Sequence, residues 1–369
     1  MNYHEQYRSI LKDAFSSRNR DFNISIFNEG RDALYSILVH LPKEDKDEVI
    51  IQGYTCKSVV DAVVAANYKP IFVDINDQYT LDTRLLSSAI SDRTKVIISQ
   101  NTYGISPDIR SIDSLCKENG IVHIQDMSQG FNDLSLCNEA IAFCSTHWNK
   151  VCNTYKGGFA IIEQDDIFQK VNNDSINLKQ DFIVVSFLIN CIHKLISQIK
   201  GTKYENFITL LLSLWNGFLY SQMQKSFCKR NMDSFRLKKG IEEFTKLNQN
   251  LTKRVLNSKK ILNFLTLNNK TTPTSNTEQA FTFIPIKIKD KSLFKECAKK
   301  DGITFYDWPL SPVSPVRTDF EKWMIEETDL QNAMRNIENT ILVYTSYEMP
   351  KNYIDKVVIF LEQNKDLIK

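Results

Sequence analysis

Between about residues 30 and 162 the chain repeats one pattern, in which a short β-branched apolar run is followed by a polar turn and a helix-length segment. The runs are Glu48-Val49-Ile50-Ile51, Pro70-Ile71-Phe72-Val73-Asp74, Lys95-Val96-Ile97-Ile98-Ser99, Ile121-Val122-His123-Ile124-Gln125-Asp126 and Ala140-Ile141-Ala142-Phe143-Cys144. Brief, apolar and bounded by turns, they read as strands buried on both faces. Helical patterns over 58–66 and 108–118 fall between them. Strand and helix in alternation imply an α/β domain with a mainly parallel sheet, in which ligand-binding groups gather at the carboxyl ends of the strands.

The rest of the chain divides around this unit. Residues 1–174 form the large α/β domain. Residues 175–245 contain two strongly apolar stretches, 182–189 and 207–223, with Lys225, Lys229 and Arg230 close behind. They read as a helical hairpin packed on the main body or on a partner subunit. The alternative is a hairpin lying in a membrane interface, a peripheral contact through 182–223. A full transmembrane span disagrees with the polar residues inside the second stretch. Residues 246–369 form a smaller α+β unit, with strands at 281–286 and 341–344 and helices at 292–301 and 353–363.

Charge narrows the function. With 46 basic and 44 acidic side chains, the chain lacks the basic excess that phosphate neutralisation requires, so nucleic acid is not an expected partner. The eight cysteines are scattered without a CxxC pair, and the start, 1–22, is polar. A reducing, cytoplasmic compartment is expected. No histidine has a partner at metal-ligand spacing in the sequence, so no metal site is expected.

Four short stretches carry chemistry. In Asn28-Glu29-Gly30-Arg31-Asp32-Ala33-Leu34 a glycine opens an apolar helix. Free backbone N–H groups there suit an anion such as phosphate, with Arg31 as a second contact, although plain turn chemistry explains a lone glycine equally. In Gln125-Asp126-Met127-Ser128-Gln129 a carboxylate ends a strand. It either holds the protonated ring nitrogen of a pyridoxal cofactor or caps a helix. Ser145-Thr146-His147-Trp148-Asn149-Lys150 offers an amine that can condense with an aldehyde, or one more surface lysine. Gly157-Gly158 enters the apolar run Phe159-Ala160-Ile161-Ile162 and permits a close backbone approach.

Taken together, in this order and spacing, the stretches resemble the DegT-type nucleotide-sugar aminotransferases, a family of fold type I enzymes that use pyridoxal 5'-phosphate (PLP). The resemblance rests on Asp126 followed three residues later by Gln129, and on Ser145 five before Lys150 with His147 between. It also rests on Gly157-Gly158 after that lysine, the Gly30-Arg31-Asp32-Ala33-Leu34 loop, Tyr54-Thr55-Cys56, and Asn101-Thr102-Tyr103-Gly104. It covers about residues 25–165 and implies a fold type I architecture with a smaller C-terminal domain.

The resemblance also implies roles. Lys150 would bond the cofactor covalently and shuttle the substrate's proton, Asp126 would pair with the pyridinium nitrogen, and Gln129 would bond its 3-oxygen. Ser145, Gly30 and Arg31 would hold the phosphate. Position 56, where an aromatic often stacks on the ring, is cysteine here, so Tyr54 is the stacking candidate beside Cys56. The implied activity is amino transfer from a donor, glutamate being the common one, to a keto sugar in amino-sugar or polysaccharide synthesis, by a homodimer. The alternatives are PLP chemistry on a lipid- or carrier-linked substrate, and a non-catalytic relative that keeps the fold as a binding scaffold.

Overall fold

The computed structural model describes residues 2–16, 22–43, 45–131, 137, 139–177, 179–180, 227, 230–274, 278–315, 329–350 and 352–369. The apolar stretches 182–189 and 207–223 lie outside the described residues. Among those described, no helix is long and apolar enough to cross a membrane.

Strands β1 (Asn23–Phe27), β2 (Glu48–Gln52), β3 (Thr55–Cys56), β4 (Lys69–Val73), β5 (Thr94–Gln100), β6 (Val122–Asp126), β7 (Ile141–Ser145) and β8 (Gly158–Ile162) make up the first part of the chain. With the exception of β3 they form one sheet in the order β1-β8-β7-β6-β5-β2-β4. From β7 to β4 every pairing is parallel, while β8 runs against both β7 and β1. The repeating pattern of the sequence thus becomes the expected parallel sheet, and its apolar runs coincide with strands to within a residue or two.

The sheet is covered on both faces because successive side chains of each strand point opposite ways. Val49, Ile51, Val96, Ile98 and Ile124 belong to the largest apolar cluster, which also holds Leu34 and Ile37 of α2 (Gly30–His40) and Val59, Val60 and Val63 of α3 (Lys57–Ala65). Their neighbours Ile50 and Ile97 face a second layer. There they meet Leu86 of α4 (Thr83–Ala89) and Ile112 and Cys116 of α5 (Ile109–Glu118). Asp108 starts α5 by accepting from the Ser111 N–H, a normal N-cap.

The remaining described elements complete the body. Strands β9 (Lys179–Gln180) and β10 (Arg230–Asn231) pair with each other. Helix α6 (Asp165–Ile176) packs on α2 and β1. Helix α7 (Ser234–Thr245) packs on the first helix, 3–15, where Gly240 lies against the Tyr7 ring. The part of the presumed insert that is described here is therefore buried on the main body. After α8 (Leu247–Leu267) come β11 (Phe283–Lys287), α9 (Lys291–Lys300), β12 (Val313–Ser314), α10 (Gln331–Asn339), β13 (Thr340–Tyr344) and α11 (Tyr353–Gln363). β11 and β13 pair antiparallel, and β12 pairs with β3. The largest apolar cluster continues through Ile284, Phe294, Val343 and Leu361.

Candidate active site

Asp126 and Ser145 end the adjacent parallel strands β6 and β7, and both lie on the face that carries α2. Parallel pairing sets Asp126 opposite Phe143, so Ser145 follows two residues further along the same face at the carboxyl edge of the sheet. The 30-loop arrives at the same edge because β1 pairs with β8, setting Phe27 opposite Gly158, which is itself opposite Ser145.

Contact there is so close that only glycine fits. A Cβ on Gly30 would lie 2.9 Å from the Ser145 Cβ and 3.0 Å from its backbone nitrogen, and one on Gly158 would lie 2.3 Å from the Gly30 nitrogen. The amino end of α2 is thereby pressed against Ser145. The N-cap residue Glu29 makes no side-chain cap bond, and the positive dipole end of the helix faces the strand edge. A helix amino end beside a serine hydroxyl forms a cradle suited to a phosphate.

Asp126 is 5% exposed, and its carboxylate accepts from the Ser128 N–H at 2.9 Å. The residues after it are not helical, which removes the helix-cap reading. Burial raises its pKa; the Ser128 contact and the charge of Lys150 act in the opposite direction. The thiol of Cys144, next to Ser145, is likewise raised by burial and by Asp126 and lowered by Lys150.

Lys150 is partly buried in the 146–157 loop. The base of this loop is closed by Thr146 N–H to Gly157 O and Thr154 N–H to Thr146 O, both 2.9 Å, and by the Thr146 and Thr154 hydroxyls 2.6 Å apart. Arg254 on α8, 1% exposed, donates to the Lys150 carbonyl at 3.1 Å. Arg236 on α7, also 1% exposed, donates to the Asn28 side chain at 2.7 Å and to the Lys156 carbonyl at 3.1 Å, while its Nε pairs with Asp233 at 2.9 Å. One buried guanidinium thereby ties the phosphate-type loop to the approach of the double glycine.

The remaining candidates divide. Gln129 is 7% exposed, and its Oε1 accepts from the Tyr103 N–H at 2.8 Å. That contact fixes the carboxamide and leaves its N–H groups as the end able to meet a ligand oxygen. Cys56 is partly buried at the start of α3, with its thiol 3.5 Å from the Ser58 hydroxyl. Tyr54 is fully buried; its hydroxyl lies 2.7 Å from that of Tyr103, and its ring sits in a cluster with Tyr79, Tyr103 and Trp308. Arg31 pairs with Glu29 at 2.7 Å, and Lys156 meets the same carboxylate at 3.0 Å. Burial alone would raise the Glu29 pKa, but Lys156 and Arg31, aided by His147, bring it below its ordinary value. The guanidinium of Arg31 is thus shared with a carboxylate at the mouth of the cradle.

Sequence reasoning missed Arg236, Arg254 and Ser128. Ser128 orients the edge by accepting from the Ser145 N–H at 3.1 Å. The spacing Asp233-x-x-Arg236, an N-cap followed by a partner on the next turn, was the one local signal for the first of them.

Residues 19–186 match the model of the DegT/DnrJ/EryC1/StrS aminotransferase family. Among curated proteins, UDP-2-acetamido-2-deoxy-3-oxo-D-glucuronate aminotransferase of Pseudomonas aeruginosa is 34% identical over 143 residues, 37% of this chain and 40% of that protein. The dTDP-3-amino-3,4,6-trideoxy-alpha-D-glucose transaminase of Micromonospora megalomicea is 30% identical over 127 residues, covering 32% and 34% of the two chains. The matched stretch thus spans about two fifths or less of these relatives.

The fold likeness reaches further. The crystal structure of ntda from Bacillus subtilis with bound cofactor PMP superposes with a TM-score of 0.75 at 18% identity, covering 98% of this chain and 77% of that one. PseC of Helicobacter pylori, an aminotransferase involved in the biosynthesis of pseudoaminic acid, gives 0.74 at 16% identity, covering 99% and 92%. The fold likeness therefore covers nearly all of the chain.

Proposed function

We propose that the chain is a PLP-dependent aminotransferase that delivers an amino group to a keto sugar borne on a nucleotide or a similar carrier. The observation that supports this reading is a buried strand-end carboxylate, Asp126, on the sheet edge where the amino end of α2 packs on Ser145, with Lys150 in the loop that follows that serine. These three groups match the three polar handles of PLP, which are its ring nitrogen, its aldehyde and its phosphate. A scaffold has no use for the full set.

When bound, PLP supplies an electrophilic aldehyde and a ring that withdraws electrons from an attached amino carbon. Asp126 would hold a proton on the ring nitrogen, its burial strengthening that ion pair. The amino end of α2, with the Ser145 hydroxyl, would hold the phosphate. Gln129 would donate to the ring oxygen. Lys150 would supply the amine that bonds the aldehyde and would carry a proton at Nζ to and from the substrate carbon. Arg254 fixes the backbone from which Lys150 projects.

Glutamate as donor, a homodimeric assembly and a cytoplasmic setting are part of the same reading. The relatives' substrates, nucleotide-linked keto sugars by their names, support the choice of acceptor.

The test is chemical. The purified protein mixed with PLP should absorb in the visible, and borohydride should fix the cofactor on Lys150, located by peptide mass spectrometry. Lys150→Ala should lose both the covalent link and turnover. A colourless protein whose Lys150 stays unmodified would refute the assignment.

A further inference from the structure

On the opposite face of β6 from Asp126, three side chains that are remote in sequence converge. His123 precedes Ile124 and therefore faces the α5 layer. Its Nδ1 lies 3.7 Å from the Asp113 carboxylate on α5 and 3.8 Å from the Cys137 sulfur in the segment before β7. All three donor atoms lie within 4.8 Å of one another. The His123 and Asp113 side chains are 4% and 14% exposed, and Cys137 is 4% exposed.

From this geometry we propose a binding site for a divalent transition metal of the zinc class, held by Asp113, His123 and Cys137. Thiolate, imidazole and carboxylate together are a zinc donor set, with bonds of about 2.0–2.3 Å that put tetrahedral ligands about 3.3–3.8 Å apart. The two separations from His123, 3.7 and 3.8 Å, lie at the upper end of that range. Charge points the same way. A thiolate and a carboxylate buried together would repel, and a dication between them neutralises the pair.

The surrounding groups act as an outer shell. The far nitrogen of His123, Nε2, is 2.8 Å from the Ser99 hydroxyl, which sets the ring's orientation and leaves Nδ1 as the ligand atom. Gln125 Nε2 donates to the Cys137 sulfur at 2.9 Å. A metal here would clamp α5 to β6 and to the segment that follows Gln129, from the side of the sheet away from Lys150. The site has a structural role and takes no part in amino transfer.

The experiment uses the untagged full chain, prepared without chelator. Elemental analysis after dialysis should find about one zinc per chain, falling to near none in His123→Ala and Cys137→Ser and staying near one in Cys297→Ser. Cobalt exchanged into the wild-type protein should give the intense red-region bands of a tetrahedral site, clear of pyridoxal absorption. Zinc-edge absorption should report one sulfur among nitrogen and oxygen neighbours. A wild-type chain that keeps no zinc and gives no tetrahedral cobalt spectrum overturns the proposal, as does equal retention in Cys137→Ser. If the variants fail to fold, the wild-type cobalt spectrum decides alone. None of these readouts depends on PLP chemistry.

Discussion

Gly158→Ala should damage both stability and cofactor binding, for one steric reason. Gly158 sits in β8 between Phe27 and Ser145. An added Cβ would meet the Gly30 nitrogen at 2.3 Å, the Glu29 carbonyl carbon at 2.5 Å and the Gly30 Cα at 2.6 Å. All three are backbone atoms, so relief requires the start of α2 to retreat by about 1 Å. That retreat is opposed by the Arg236–Asn28 hydrogen bond at 2.7 Å. Forced overpacking of this kind costs about 1–3 kcal/mol, and a contact with no flexible side chain to yield belongs near about 3 kcal/mol. Shifting the helix end also moves its amides off the phosphate, so PLP affinity should fall by about tenfold or more, equivalent to about 1.4 kcal/mol.

Gly120→Ala provides the control. Gly120 has φ +60° and nothing within 4 Å of an added Cβ, so it should show only the left-handed backbone penalty of about 1–2 kcal/mol, with PLP affinity unchanged. Urea unfolding of the apoprotein and absorbance titration with PLP measure the two effects. The reasoning fails if Gly158→Ala is no less stable than Gly120→Ala and binds PLP as the wild type does.

The remaining predictions concern buried polar groups. Burial raises the Asp126 pKa above its unfolded value of 3.8, so between the two values the folded apoprotein binds more protons than the unfolded chain. Its stability therefore falls as pH rises through that window, and Asp126→Asn should remove this fall; urea midpoints of both apoproteins across the acid range that run parallel would contradict it. In the tyrosine pair the Tyr103 hydroxyl donates to the Trp308 carbonyl at 2.8 Å, so Tyr54 must donate to Tyr103. Tyr103→Phe strands two partners and should destabilise by about 2–3 kcal/mol, against about 1 kcal/mol for Tyr54→Phe; equal losses in thermal or urea unfolding would contradict the assigned direction of donation.

Much of this architecture could be read along the chain because buried parallel strands leave an unambiguous trace. The run 48–51 had only one way to satisfy its apolar side chains, and it became β2 with flanking strands on both sides. Asp126 and Lys150 could be read for a related reason: each lies within a few residues of a strand end, where local sequence dictates placement. Arg236 and Arg254 could not, since their partners lie about 80 to 208 residues away and are chosen by how α7 and α8 dock. The Asp113–His123–Cys137 cluster escaped for the opposite reason. Spacing rules seek ligands on one hairpin or helix, whereas here a helix, a strand and a loop each contribute one. The aromatic cluster around Tyr54 likewise draws Trp308 from the far end of the chain, so a residue proposed from its local motif as a stacking partner proved to be enclosed.

The reversed strand β8 has a consequence for how such a chain emerges from the ribosome. Among the described residues the only sheet partner of β1 is β8, and Asn23 waits for Ile162. Until synthesis has passed Ile162, β1 has no edge to join and the loop at Gly30 has no second wall. The parallel strands β2, β4, β5, β6 and β7 can assemble earlier, since each finds a neighbour already made. The last main-sheet strand to be translated is therefore the one that brings β1 to the edge carrying Asp126 and Ser145.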